Sequence, residues 1–154
     1  MREMLLALGI GVVTAMAIVV QPGVAGAQDV AHIKVVKGTV TVERAGRPVP
    51  ATVGMRLQEH DVVVTGQDGS VGITFQDDSL VSAGPRTAVA IDRFTFNPTT
   101  HAGQFETTLR RGTLAVVSGK IAKQSSEAMR VKTPSAVLGV RGTEFLVRAG
   151  QPAS

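Results

Sequence analysis

Apolar and polar residues alternate with a period of two through most of the chain that follows residue 31. Val71, Ile73 and Phe75, for example, fall on one face of such a segment. This period is the side-chain repeat of a β-strand. Turn residues such as Asp68-Gly69, which supply the positive φ of a tight hairpin, interrupt the pattern roughly every 8–12 residues. The alternation therefore predicts an all-β domain built of short strands.

The unit of one turn and one strand recurs at a step of roughly nine residues. Its copies are Asp-Gly-Ser before Val71, Asp-Asp-Ser before Leu80 and Pro-Arg-Thr before Ala88. Such a step is typical of a β-solenoid, in which each coil packs mainly on its neighbours. We therefore expect the short strands to take up a twisted β-solenoid-like or sandwich-like arrangement.

Three further expectations concern the second half of the chain. Arg111-Gly112 is expected to be a turn between two strands. One helical turn is expected within residues 121–129 and another within residues 135–140. Thr133-Pro134 is expected to end the strand before it, because proline cannot donate a hydrogen bond to a sheet.

The N-terminus has the features of an export signal. Arg2 supplies a short basic start, residues 4–28 carry no charge, and residues 5–20 form an apolar run. Ala25-Gly26-Ala27 then provides a small-x-small cleavage site. The run is shorter than the roughly 20 residues that a membrane span needs. We therefore predict a cleaved signal helix over residues 1–27 and an exported domain over residues 28–154, or a membrane anchor if the leader is retained.

Composition and charge exclude several classes of function. The chain has no cysteine, which excludes disulfides, thiolate nucleophiles and cysteine-ligated zinc. Its five aromatic residues are all phenylalanine, which argues against a stacking platform for bases. Residues 28–100 carry seven Lys and Arg against eight Asp and Glu, whereas residues 101–154 carry eight against three. The basic half either is a solvated face or suits an acidic partner, polymer or lipid surface, and its runs are too short for nucleic acid.

The sequence contains no constellation of residues typical of catalysis, a cofactor or a metal. The three histidines lie far apart in the chain. Asp77 and Asp78 are adjacent, so in a strand they would point to opposite faces, and we interpret them as turn residues. We therefore expect no enzyme activity. The candidates for an envelope hydrolase, the alternative, are Asp77, Asp78, Asp92 and His60.

The densest pattern in the chain lies in residues 131–147. Gly139 and Gly142 flank Arg141, which indicates two backbone positions that tolerate no Cβ. Arg141 would then lie at a tight corner, where its guanidinium either holds loop carbonyls or contacts a partner. The candidate site residues, taken as structural or partner-contact positions, are Thr133, Pro134, Ala136, Gly139, Val140, Arg141, Gly142, Thr143 and Phe145.

These residues resemble the FecR family. The family pattern T-P-x-A-x-x-G-V-R-G-T-x-F matches residues 133–145 at every fixed position. Upstream, residues 68–75, Ser79-Leu80 and Pro85-x-Thr87 are similar to the family's D-G-S-x-x-x-x-F, S-L and P-x-T elements. The resemblance covers about residues 33–148, which we take as the core of the domain.

The resemblance implies a periplasmic, β-rich domain of twisted, solenoid-like form. In better-known members of the family, a periplasmic part senses an outer-membrane transporter occupied by an iron chelate. Their cytoplasmic part controls an extracytoplasmic-function sigma factor. Here only residues 1–3 precede the apolar run, and the chain ends six residues after Arg148. We therefore expect a free-standing periplasmic domain without the C-terminal lobe that contacts the transporter.

Two classes of function remain open at this point. The first is a protein-binding or regulatory module of the cell envelope, which docks another envelope protein through a β-surface or a strand edge. Its basic half would steer it towards an acidic partner. A variant of this class binds an envelope polysaccharide or lipopolysaccharide. The second class is the envelope hydrolase.

Overall fold

The computed structural model describes residues 27–140 and 143–150. The predicted signal peptide therefore lies outside the described residues, except for Ala27. The described part contains twelve strands and one short helix. They are β1 (Asp29–Lys37), β2 (Val40–Arg44), β3 (Arg47–Pro50), β4 (Arg56–Gln58), β5 (Val62–Thr65), β6 (Ser70–Phe75), β7 (Leu80–Ala83), β8 (Ala88–Phe96), β9 (Gly103–Val117), α1 (Lys120–Gln124), β10 (Met129–Lys132), β11 (Val137–Gly139) and β12 (Glu144–Ala149).

The strands form one curled, largely antiparallel sheet in the shape of a half-barrel. Two strands that follow each other in the chain, such as β1 and β2, form one bent segment that crosses the sheet. We call each such segment a pass. The pass β1–β2 pairs with β6 and β5, the pass β5–β6 pairs with β8 and β7, and the pass β7–β8 pairs with the two halves of β9. The prediction of an all-β fold with short strands is therefore confirmed.

β9 is the longest strand and belongs to both halves of the sheet. It runs without interruption from Gly103 to Val117, so the prediction of a turn at Arg111-Gly112 is wrong. Gly112 has a φ of 96° and lies where the partner of β9 changes from β8 to β7. The glycine therefore allows a local change of backbone direction within one continuous strand, and in a sequence such a glycine looks the same as one in a turn between two strands.

The other edge of β9 carries two strands from the C-terminal part of the chain. β10 pairs with it in parallel and β12 pairs with it antiparallel. The helical turn expected within residues 121–129 corresponds to α1, whereas the one expected within residues 135–140 is wrong. That segment contains β11, which forms a hairpin with β10. A turn closed by the Thr133 N–H to the Ala136 carbonyl at 2.8 Å brings β11 back along β10.

The core lies inside the curl and centres on three phenylalanines. Phe75, Phe94 and Phe105 are buried on neighbouring passes. The Phe105 ring centroid lies 4.4 Å from that of Phe75 and 5.2 Å from that of Phe94. Tilted and edge-to-face pairs at these distances are favourable beyond the apolar area that they bury. Val71 and Ile73 are buried on the same face as Phe75, as the alternation predicts.

Three threonines hold the bent passes together at the corner of the sheet. The Thr65 hydroxyl donates to the Gly84 carbonyl at 2.6 Å and accepts the Thr87 N–H at 2.9 Å. The Thr87 hydroxyl in turn accepts the Thr113 N–H at 3.0 Å. Thr87 is fully buried. Buried polar groups are stable only when they are paired, so this chain of hydrogen bonds fixes the backbones of three passes against one another.

An ion pair between the half-buried Arg44 and the buried Asp61 closes the opposite end of the β2–β5 pair. Asp61 is 1% exposed and accepts two hydrogen bonds from Arg44, at 3.0 Å from Nε and 2.7 Å from Nη2. The Gln58 N–H donates to the same carboxylate at 2.9 Å. The hydrogen bonds that Arg44 donates to Asp61 raise the pKa of Arg44 above its usual value.

Candidate docking surface

The residues of the C-terminal motif follow the β10–β11 hairpin and the start of β12. Thr133 lies at the turn, where its hydroxyl accepts the Ala136 N–H at 3.1 Å. Pro134 and Ala136 are exposed in that turn. Val140 is buried and donates its N–H to the Met129 carbonyl at 3.2 Å. Thr133-Pro134 lies just beyond Lys132, where β10 ends, as expected from the proline.

The structure changes the interpretation of the glycines in the motif. Gly139 is exposed in β11, and a Cβ added to it would meet no atom within 4 Å. The prediction that this position tolerates no Cβ is therefore wrong. Gly142 and Arg141 lie outside the described residues, so the two roles considered for Arg141 stay predictions. Phe145 is half-buried in β12, and Thr143 before it is exposed.

A buried aspartate ties the β6–β7 turn to the segment that follows β9. Asp77 is fully buried and accepts hydrogen bonds from the Ser79 N–H at 3.1 Å, the Ser79 hydroxyl at 2.8 Å and the Ile121 N–H at 3.3 Å. The Ser79 hydroxyl also accepts the Gly119 N–H at 2.9 Å. Next to this cluster, the Thr143 carbonyl accepts the Ser118 N–H at 2.8 Å. The cluster therefore positions the start of β12.

Asp77→Ala should lower the free energy of unfolding by about 2–3 kcal/mol, because it leaves buried donors without an acceptor. Thermal melting of the full chain would measure the loss. The neighbouring Asp78→Asn is the control, since Asp78 is exposed and should leave the melting temperature nearly unchanged. Equal melting temperatures for the two variants would contradict the role assigned to Asp77.

The four residues considered for a hydrolase are not brought together by contacts of their own. Asp77 is used by backbone donors, and Asp78 pairs with Lys120 at 2.8 Å. The hydrogen bond and charge of Lys120 lower the pKa of Asp78 below its usual value. Asp92 accepts the Thr108 hydroxyl at 2.5 Å, and His60 is exposed. Within the described residues, no group of three or more acidic or histidine side chains could hold a metal ion.

A mostly uncharged surface, bordered on β12 by Glu144 and Arg148, lies on the outside of the sheet between β1 and β12. Leu80 lies opposite Val117, and Ala115 lies opposite Leu146 in the strand registers. These side chains point away from the core, since Leu80 is 45%, Val117 39% and Leu146 65% exposed. We call this surface the outer face. Its residues are Val35, Gly72, Thr74, Leu80, Ser82, Ala115, Val117 and Leu146.

β12 forms the open edge of the outer face. It pairs with β9 along one side, and in the described part of the chain no strand pairs with its other side. An open edge presents unpaired N–H and C=O groups to any extended chain that approaches it. Glu144 and Arg148 flank Leu146 on the exposed side of β12 and limit unspecific pairing. An apolar face next to an open edge is a surface to which another strand can bind.

The outer face was not predicted from the sequence. The alternation placed Val71, Ile73 and Phe75 on one side of a strand, but it could not show that the opposite side stays uncovered. One pattern was available: Leu80 and Val117 stand at positions where an exposed strand face usually carries polar residues. Two apolar neighbours on the polar face of short strands therefore indicate a contact surface.

The structure thus defines an all-β domain with an open strand edge beside an apolar face. A model of the FecR protein family matches residues 61–154, more than half of the chain. The chain therefore belongs to the FecR family, as its motifs indicated. Membership is consistent with a regulatory or signalling module, and the family is typically associated with the cell envelope. No curated protein and no solved structure gave a match.

The family match starts at Asp61, whereas the core predicted from the motifs starts near residue 33. The strands before the match nevertheless belong to the same sheet, because β1 pairs with β6 and β2 pairs with β5. None of the helices formed by residues 27–140 and 143–150 has the length and hydrophobicity to cross a membrane.

Proposed function

We propose that this chain is a non-enzymatic binding module of the periplasm, which docks an envelope protein on the outer face and the open edge of β12. The observation that carries the proposal is the position of Leu146, which is 65% exposed on a strand with one unpaired side. An extended segment of a partner would add to the sheet next to β12. Its backbone would supply affinity, and its apolar side chains would cover Leu146 and Val117.

The charge of the protein supports an acidic partner. Arg148 lies on the exposed side of β12, opposite Thr113 of β9 in the strand register. Arg110 is also exposed. Positive charge at one end of the docking strand raises the association rate with an acidic segment and sets its direction of approach. This arrangement agrees with the basic balance of residues 101–154.

The predicted export signal and the family membership support the proposed location in the periplasm. The leader pattern over residues 1–27 favours secretion. The mature N-terminus would then be Gln28, one residue before β1 begins at Asp29. A cut at this position would remove the leader and leave the first strand of the sheet complete. The regulatory character of the family supports a role in which binding itself is the output.

Photo-cross-linking tests the docking surface. A photo-reactive residue at position 146 of the full chain should capture a partner in the envelope, and the same residue at position 53 should not. Val53 is the matched control, because it is 66% exposed but lies between β3 and β4, away from the outer face. The captured protein is then purified for binding measurements.

Leu146→Asp should weaken binding of that partner by about thirtyfold or more, because it places a charge in the apolar contact. Val53→Asp should leave the dissociation constant unchanged, and both variants should melt like the native chain. Equal affinity for Leu146→Asp and the native chain would contradict docking at β12. Retention on an acidic polysaccharide that disappears in salt, without a protein partner, would favour the polymer-binding alternative.

A further inference from the structure

A cavity of about 470 Å³ opens at the corner of the sheet. Its lining residues are Thr65, Gly66, Gln67, Arg86 and Arg111. They come from three successive passes of the chain: the end of β5, the turn between β7 and β8, and the middle of β9. Volumes of this size are usual for sites that bind small ligands. Two guanidinium groups in one cavity make it strongly basic.

Among the residues that the structure describes, no carboxylate forms an ion pair with either arginine of the cavity. Four ion pairs join described residues, and none includes Arg86 or Arg111. Asp68 follows Gln67 in the corner loop, where its carboxylate accepts the Thr39 N–H at 3.3 Å, and it is in none of these four ion pairs. Two guanidiniums without a carboxylate partner repel each other, and a bound anion would relieve that repulsion.

The backbones of both arginines are held in place by the threonine network of the corner. The Arg86 N–H donates to the Gly66 carbonyl at 2.9 Å, and the next residue, Thr87, is fully buried. The Thr87 hydroxyl accepts the N–H of Thr113, which lies two residues after Arg111. Arg86 itself has a φ of 54°, a conformation that costs a non-glycine residue energy. Residues with a strained backbone that the surrounding structure holds in place are common at functional sites, so the strain at Arg86 favours a functional role for its side chain.

The chemistry of the guanidinium group selects the ligand. One arginine fork pairs with both oxygens of a carboxylate and satisfies it. Two forks around one cavity carry two positive charges, which match the larger negative charge and the several oxygens of a tetrahedral phosphate better than the single charge of a carboxylate. We propose that the Arg86–Arg111 cavity binds a phosphate group, either as free phosphate or as the headgroup of an envelope lipid. This site does not depend on the docking surface at β12.

Titration of the full chain with inorganic phosphate at low, constant ionic strength tests the site. Amide resonances of Gly66, Gln67 and Gly112 should shift and saturate, and chloride should not reproduce the shifts. Arg111→Gln and Arg86→Gly should each weaken phosphate binding at least about tenfold, since each removes one charged fork. Arg47→Gln, an exposed arginine in the β2–β3 hairpin, should bind phosphate like the native chain.

The melting temperature of Arg86→Gly and one further variant, Arg86→Lys, separate a specific site from misfolding and from general attraction. Arg86→Gly removes the strained conformation, so its melting temperature should not fall below that of the native chain. Arg86→Lys keeps the charge but loses the fork, and should also weaken phosphate binding. The proposal is overturned if Arg86→Lys binds phosphate as tightly as the native chain. It is also overturned if Arg47→Gln weakens binding as much as Arg111→Gln.

Vesicles identify the source of the phosphate. The full chain is added to phosphatidylcholine vesicles with and without phosphatidic acid, and retention that rises with phosphatidic acid is measured. If that increase disappears in Arg111→Gln, the ligand is a lipid headgroup. If inorganic phosphate binds but phosphatidic acid adds no retention, the ligand is free phosphate. If neither probe binds more tightly to the native chain than to Arg111→Gln, the cavity holds no phosphate.

Discussion

Gly112→Ala should lower the free energy of unfolding by about 3 kcal/mol or more, the combined cost of a positive φ and an overpacked contact. A Cβ at this position would lie 2.2 Å from Thr87 Oγ1 and 2.5 Å from Thr87 Cα. The Cα belongs to the backbone of a fully buried residue, so the contact is not relieved by a side-chain rotation. Urea or thermal unfolding of the full chain would measure the loss.

Two other glycines separate the causes of this effect. Gly46 has a φ of 76° but no atom within 4 Å of an added Cβ, so Gly46→Ala should show only the conformational cost of about 1–2 kcal/mol. Gly139 has neither constraint, and Gly139→Ala should be nearly neutral. If Gly112→Ala were no worse than Gly46→Ala, the close approach of β9 to Thr87 would not matter for stability.

Phe105→Ala should lower the free energy of unfolding by about 3–5 kcal/mol, because it leaves a cavity at the centre of the core. Phe105 is 1% exposed and its ring contacts both Phe75 and Phe94. Its strand also pairs with β8 on one side and β10 on the other, so the surrounding backbone has little freedom to close the cavity. The free energy of unfolding from chemical denaturation would measure the cost.

Phe96→Ala is the control for this prediction. Phe96 is half-buried at the end of β8, where its ring stacks on His101 at a centroid distance of 6.1 Å. Removing a partly exposed ring creates no enclosed cavity, so the loss of free energy of unfolding should be clearly smaller than for Phe105→Ala. Similar losses for the two variants would mean that the three-phenylalanine cluster is not the centre of the core.

Much of the fold could be predicted from local pattern. The alternation at Val71, Ile73 and Phe75 identified both a strand and its buried side, because one face of each strand packs inside the curl. The turns also followed from residue type. Ala45-Gly46 connects β2 and β3 with positive φ at both residues. Asp68-Gly69 also lies between two strands, β5 and β6, but the prediction of a tight hairpin there is wrong: neither residue has a positive φ, and β5 and β6 pair with other strands and not with each other.

The errors have a common physical cause, since local patterns do not show which neighbours a segment meets. Arg111-Gly112 has the composition of a turn, yet hydrogen bonds to both β7 and β8 keep β9 continuous through it. Residues 135–140 contain Val137 and Leu138, whose strand forms only because β10 is beside it. Asp77 was correctly placed in a turn, but its complete burial depends on Ile121, far away in the sequence.

The candidate sites were harder to predict than the fold for the same reason. The C-terminal motif identified the family, but exposed Leu146 became notable only when its strand proved to have an open side. Arg86 and Arg111 are 25 positions apart in the chain and meet in one cavity because the β7–β8 turn folds onto β9. The composition shows that the C-terminal half of the protein is basic, but the positions of its charged side chains depend on how the sheet folds.

The double membership of β9 has a mechanical consequence. A binding partner that pulls along β12 would load its six-residue pairing with β9 in shear, so all of these hydrogen bonds would bear the force at once. β9 would pass that tension along its full length to the passes on its other side. A tether fixed to this strand would resist pulling along its axis far better than peeling from the edge.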